Sequence, residues 1–307
     1  MKPIKLSPVF KDYLWGGTRL RDDYNMQSDM SPLAEAWVLS CHPDGESRAV
    51  DGEFEGKTLR EIIDKLGQEC LGNKAQHFPF FPILIKLIDA KQPLSLQVHP
   101  SDEYALKNEN QFGKTEMWYI VDCDKDAFLY YGFKEEISKE EFERRINDNT
   151  LTDVLNKVPV NKGDCFFITS GTIHAIGAGI LIAEIQQNSN CTYRVSDYGR
   201  VGADGKPREL HIEKALKVTE RTAPRHPFGK PQQDLLASCE YFTVNRLRVN
   251  GEKKITVSED SFCALLCTDG NATVDGVDVK AGDCLFIPAY YGDVKITGDA
   301  EILESRV

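Results

Sequence analysis

Gly163-Asp164-Cys165-Phe166-Phe167-Ile168 recurs toward the C-terminus as Gly282-Asp283-Cys284-Leu285-Phe286-Ile287. Each copy is a Gly-Asp turn opening into a run of apolar, strand-forming residues. Short strand patterns surround both copies, at 34–40, 81–88, 94–98 and 116–122, with 128–133 expected as the hairpin partner of 116–122. A proline-rich stretch at 222–233, carrying Pro224, Pro227 and Pro231, separates them. The repeat therefore predicts a mainly β chain of two related barrel-like units, 1–233 and 234–307. Counting eleven residues on from each glycine reaches His174 in the first copy and Asp293 in the second. Only the first unit is expected to carry chemistry.

Helical spacing is confined to a few segments. Leu59, Ile62, Ile63 and Leu66 form one apolar stripe, and Ser101 is placed to cap a short helix. Ser138 with Glu141 resembles a capping box ahead of Phe142 and Ile146. The charged helices of 138–156 are expected on the outside of a sheet.

Composition limits the function classes. The chain has 307 residues, 41% hydrophobic and 28% charged, which suits a globular protein with a substantial core. A net charge of −11 argues against nonspecific binding to nucleic acid or an anionic membrane, and makes any anionic substrate depend on a local basic pocket. No apolar run reaches membrane-spanning length, and the N-terminal segment lacks the apolar stretch of a secretion signal. The nine cysteines are odd in number and form no Cys-x-x-Cys, the pattern of reduced thiols in a cytoplasmic protein.

Three side chains able to bind one divalent cation stand in Gln97-Val98-His99-Pro100, Gly113-Lys114-Thr115-Glu116 and Ser170-Gly171-Thr172-Ile173-His174. Two imidazoles and a carboxylate with an open position suit catalytic Zn²⁺ or non-haem iron. Their irregular separations fit neighbouring strands better than a helical face. Period-2 alternation puts Gln97 on the side of His99, and Lys114 on the side of Glu116. Lys86 interrupts an apolar run, where an unpaired charge would be costly to bury. Arg194 follows His174 closely in sequence.

Taken together, several pieces resemble the type I mannose-6-phosphate isomerases, in particular the short bacterial form. They are Leu94-Ser95-Leu96-Gln97-Val98-His99-Pro100, Gly113-Lys114-Thr115-Glu116-Met117-Trp118-Tyr119, His174-Ala175-Ile176-Gly177 and Thr192-Tyr193-Arg194-Val195-Ser196-Asp197-Tyr198-Gly199-Arg200. Trp15-Gly16-Gly17, Ala34-Glu35-Ala36-Trp37 and His42-Pro43-Asp44-Gly45 match upstream, so the likeness runs over nearly the whole chain.

The resemblance implies two cupin-type jelly-roll units with helical additions, the first a metal-binding catalytic unit with helical insertions and the second smaller and without the metal set. It implies one Zn²⁺ per chain held by Gln97, His99, Glu116 and His174, with Arg194 catalytic. Ser95, Lys86, Lys114 and Arg200 would line the site of a phosphorylated hexose, Arg200 standing where the longer enzymes have a lysine. The implied activity interconverts mannose 6-phosphate and fructose 6-phosphate through a cis-enediol. An Fe(II) dioxygenase and a non-catalytic sugar-phosphate binding protein stay open as alternatives. The proton carrier is open among solvent at the metal, Lys114 and His99, and oligomeric state is not indicated.

Overall fold

The computed structural model describes residues 2–202, 205–226 and 228–307, so Pro227 of the proline-rich stretch lies outside the described residues. The fold is mainly β. One antiparallel sheet runs in the order Cys165–Ile168, Glu116–Cys123, Ile180–Gln187, Ile83–Ala90, Glu35–Leu39 and Val9–Lys11. A second runs Leu155–Pro159, Phe128–Phe133, His174–Ile176, Leu96–Val98 and Tyr193–Ser196. The two face each other across a core in which Ile88, Trp118, Ile120 and Phe166 of the first meet Leu129, Tyr131 and Ile176 of the second. That is a jelly roll, closed by packing of the two inner faces.

The six-stranded sheet is covered on both sides. Ile83, Ile85 and Leu87 point away from the jelly roll and pack with Phe242, Phe286 and Leu303 of the C-terminal unit. Ile88 and Ala90 point inward. Every residue of Ile83–Ala90 is therefore buried, which explains the near-continuous apolar run. The same alternation sends Lys86 into the jelly-roll interior.

The 128–133 segment departs from expectation. Phe128–Phe133 pairs with Leu155–Pro159 and His174–Ile176, not with Glu116–Cys123. A turn closed by Ala127 N–H donating to Asp124 O at 3.2 Å, with Asp126 at a φ of 63°, carries the chain across to the facing sheet. Alternating sequence marks a strand, but not the sheet it joins.

Helices Asp102–Glu109, Lys139–Asn147 and Ile212–Val218 cover the outer face of the five-stranded sheet. Their Ala105, Phe142, Ile146 and Ala215 pack on Leu96, Val98, Phe133 and Val195. Ser101 and Ser138 accept from the backbone of Tyr104 and Glu141, as N-caps should. The Glu141 carboxylate turns instead to Arg145, 2.9 Å away, whereas a full capping box forms at Thr58 and Glu61, at the start of helix Leu59–Leu66.

The six-residue repeat is a repeat of geometry. Gly163 and Gly282 have φ of 90° and 95°, and the Asp164 and Asp283 carboxylates accept from Asn161 and Lys280 N–H at 2.8 and 2.9 Å. Each turn then opens into a strand, Cys165–Ile168 or Cys284–Ile287. Asp293, the second unit's counterpart of His174, accepts from Thr256 Oγ1 at 2.8 Å, and no histidine lies near it in sequence. Strand Ile4–Ser7 pairs with Cys284–Ile287, so the start of the chain closes an edge of the C-terminal sheet.

Gly16 shows why Trp15-Gly16-Gly17 is glycine-rich. A Cβ there would lie 2.5 Å from Ala34 Cβ and 2.6 Å from its Cα, against backbone that cannot swing away. Gly16→Ala is expected to destabilise the fold by about 1–3 kcal/mol through overpacking. Chemical denaturation checks this; an unchanged midpoint would mean the segment yields freely.

Candidate metal centre and its cavity

Three neighbouring strands set one row of the site. His174 stands opposite Gln97, and Gln97 stands opposite Arg194, on the inner face of the five-stranded sheet. Residues directly opposite across strands have Cβ atoms about 4.5–5.5 Å apart, so the three side chains are neighbours. The facing sheet sets a second row: Trp37, Lys86, Glu184 and Trp118 in register. Glu116 and Lys114 lie two and four residues before Trp118, on the same inward side.

His99, Glu116 and His174 converge, with ligand atoms all within 4.8 Å of one another, and all three are buried. His99 Nε2 lies 3.6 Å from Glu116 Oε2, and His174 Nε2 lies 3.4 Å from Glu116 Oε1. Each Nδ1 is taken by a backbone carbonyl, of Cys191 for His99 at 3.0 Å and of Thr172 for His174 at 2.9 Å. Donation from Nδ1 leaves an Nε2 lone pair on each ring aimed at the carboxylate, the arrangement by which metal-binding imidazoles are oriented. Burial lowers both histidine pKa values, that of His99 to about 3 with Lys114 adding to the effect, so both rings are neutral as ligands require.

Neither Glu116 oxygen has a hydrogen-bond partner of good geometry, although the side chain is fully buried. Burial opposes ionisation of Glu116, but interactions led by the Lys114 ammonium outweigh it and hold the carboxyl well below its usual range. A buried, ionised carboxylate facing two neutral imidazoles fits a divalent cation. The Gln97 amide lies 3.3 Å from His174 Nε2 and is within reach of the same centre.

Lys114 Nζ lies 2.6 Å from Glu116 Oε2, 3.4 Å from His99 Nε2 and 3.5 Å from Glu184 Oε1. Lys86 Nζ lies 3.4 Å from Glu184 Oε1 and 3.7 Å from Glu35 Oε2. Indole N–H groups pin both acids, Trp118 to Glu184 at 2.9 Å and Trp37 to Glu35 at 2.7 Å. Burial lowers the Lys114 pKa but Glu116 and Glu184 reverse it, so its ammonium persists. Burial, then Glu116, raises the Glu184 pKa.

Lys86, Lys114, Glu35 and Glu184 line a cavity of about 260 Å³ together with Tyr13, Trp15, Ser95, Gln97, Arg194 and Arg208, and His99, Glu116 and His174 lie behind this lining. Ser95 Oγ donates to Gln97 Oε1 at 3.3 Å. Thus Gln97, Ser95, Lys86, Lys114 and Arg194, all candidate site residues from the sequence, line one chamber. Arg200 does not line it; its Nη2 lies 2.5 Å from Asp197 Oδ1. His42 packs edge-on against Trp37, at 5.7 Å, beside an adjoining cavity. Sequence reasoning misses Glu184, Glu35 and Arg208 as members of the site. Glu184 is detectable, since it breaks an apolar strand as Lys86 does, whereas Arg208 carries no such signal.

Family comparison agrees with this geometry. Residues 4–126 match the phosphomannose isomerase type I catalytic domain, and residues 232–307 match the mannose-6-phosphate isomerase cupin domain. The chain is 38% identical to the mannose-6-phosphate isomerase ManA of Bacillus subtilis strain 168, over 100% of this chain and 99% of that one. It superposes on the crystal structure of the mannose 6-phosphate isomerase from Bacillus subtilis with a TM-score of 0.90, at 35% identity and full coverage of both chains. A mannose 6-phosphate isomerase bound with zinc and yttrium has the same fold, with a TM-score of 0.79, 19% identity and 99% of each chain covered.

Proposed function

The chain belongs to the type I phosphomannose isomerases, and we propose that it interconverts mannose 6-phosphate and fructose 6-phosphate at a zinc centre held by His99, Glu116, His174 and Gln97. The observation that carries the metal assignment is the convergence of the buried Glu116 carboxylate, whose Oε2 is ion-paired to Lys114, with two oriented, neutral imidazoles, their ligand atoms all within 4.8 Å of one another. Zinc suits this donor set, and the structural relative bound with zinc and yttrium supports the choice. When bound, the ion supplies Lewis-acid polarisation of the sugar oxygens.

Aldose–ketose interconversion moves a proton between C1 and C2 through a cis-enediol whose oxygens gather negative charge. Arg194 sits beside Gln97 in the strand register, and its Nε is buried without a partner. A guanidinium so placed stabilises the enediolate, with its donors already oriented by the fold. Lys114, kept protonated by its acidic neighbours, donates to the sugar hydroxyls, and Ser95 orients the Gln97 amide. Lys86 holds Glu184 from the far side. Because Glu184 Oε1 lies within 3.5 Å of both lysines, a proton can pass between Lys114 and Glu184 inside the buried network. Arg200 acts on the substrate site through Asp197.

We further assign 1–233 as the catalytic unit and 234–307 as a smaller jelly-roll partner that lends its sheet as backing for the six-stranded sheet. A cytoplasmic location is supported by nine cysteines that are all free thiols. Among the described residues no helix is long and apolar enough to cross a membrane. The testing experiment is a coupled assay of mannose 6-phosphate turnover. Conversion to fructose 6-phosphate is expected, while oxygen uptake without isomerisation would favour an iron oxygenase instead.

A further inference from the structure

Resting on the sugar-phosphate reading just given, we propose that Arg208 is the phosphate-anchoring residue and that Asp197 positions it. The cations of the cavity fall into two groups. Lys86 and Lys114 sit among Glu35, Glu184 and Glu116, three carboxylates for two ammoniums, so that end has no positive charge to spare before the metal is counted. The cavity is lined also by Arg194 and Arg208. Among the described residues the acid in contact with Arg208 is Asp197, which is shared between Arg200 and Arg208.

Asp197 grips Arg208 with both oxygens, Nε donating to Oδ2 at 2.8 Å and Nη2 to Oδ1 at 2.6 Å. Two of the five guanidinium N–H groups are thereby used and the fork is fixed in orientation, with donors remaining for a ligand. Arg194 donates from Nη1 to Glu209 O at 2.8 Å, anchoring it beside Arg208. Burial, then the neighbouring Arg208 charge, lowers the Arg194 pKa, so the two guanidiniums repel in the absence of an anion. A dianionic phosphate on Arg208 relieves that repulsion and leaves the unpartnered Arg194 Nε for the enediolate. It also sets the sugar's reach across the cavity, with C1 and C2 toward Gln97 and Lys114.

Arg200 cannot take this role directly, because its guanidinium lies on Asp197 and against the Tyr198 ring, 5.8 Å from the ring centre, and does not line the cavity. Its contribution is to share the load on Asp197.

The test compares Arg208→Gln and Arg208→Lys in the full metal-loaded chain. Arg208→Gln is expected to raise KM for mannose 6-phosphate by about tenfold to a hundredfold, with a much smaller change in kcat. Inhibition by inorganic phosphate should weaken by a similar factor. Arg208→Lys should recover part of the loss, since it keeps the charge but not the fork. Asp197→Asn should show a weaker version of the same KM effect. Unchanged KM and phosphate inhibition in Arg208→Gln would overturn the proposal, as would a fall in kcat alone. If Arg208→Gln does not fold, Arg208→Lys decides, because a purely structural arginine would leave phosphate inhibition unmoved. A wild-type chain that fails to isomerise mannose 6-phosphate would sink the isomerase reading instead, and calorimetry with inorganic phosphate would then still judge Arg208.

Discussion

Replacing His174 by Ala is expected to remove the metal and lower mannose 6-phosphate turnover by about three orders of magnitude, a loss of several kcal/mol of transition-state stabilisation. His174 stands outside the buried ion-pair network. It is neutral, its Nδ1 binds only the Thr172 carbonyl, and the ion pairs of Lys114 and Lys86 do not pass through it. The variant should therefore remain folded, with its far-UV spectrum and thermal midpoint close to those of the chelated parent. Elemental analysis should find well under one zinc per chain. Full metal content with full activity would remove His174 from the centre.

Arg194→Ala separates charge stabilisation from metal binding. Removing one preorganised oxyanion donor costs about 10²–10³ in kcat, the size of loss expected if the buried, unpartnered Nε of Arg194 has the role proposed for it. Arg194 forms no hydrogen bond or ion pair with His99, Glu116 or His174, although it stands opposite Gln97 in the strand register, so zinc content should stay near one per chain. The stability effect should be small, because among the described residues the side chain's one hydrogen bond runs from Nη1 to the Glu209 carbonyl. A parallel fall in zinc and turnover would contradict the role given to Arg194. A rise in KM with kcat intact would place it on the phosphate instead of the enediolate.

The metal triad is legible in the chain because imidazoles and carboxylates beside strand-forming residues are rare enough to stand out, and period-2 alternation assigns Gln97 and Lys114 to the same faces. Lys86 is legible for a different reason, a charge inside an apolar run, and Glu184 in Ile180–Gln187 carries the same mark. Their mutual pairing is a property of sheet register, which the local pattern does not encode. The two jelly rolls can be read from the Gly-Asp turn because that turn has one preferred geometry, a left-handed glycine followed by an aspartate closing back on the chain. The sheet joined by Phe128–Phe133 depends on the turn after Cys123 and on packing across the core. Arg208 lies beyond any such signal: it reaches the cavity through a salt bridge to a residue eleven positions earlier, on an irregular stretch.

The most direct measurement of the central claim is zinc content and isomerase activity on the same samples during chelation and stepwise zinc return. One zinc per chain is predicted, with mannose 6-phosphate turnover lost on its removal and restored in proportion up to one equivalent. Turnover that survives complete metal removal, or a metal-replete chain that does not interconvert the two sugar phosphates, would contradict the account.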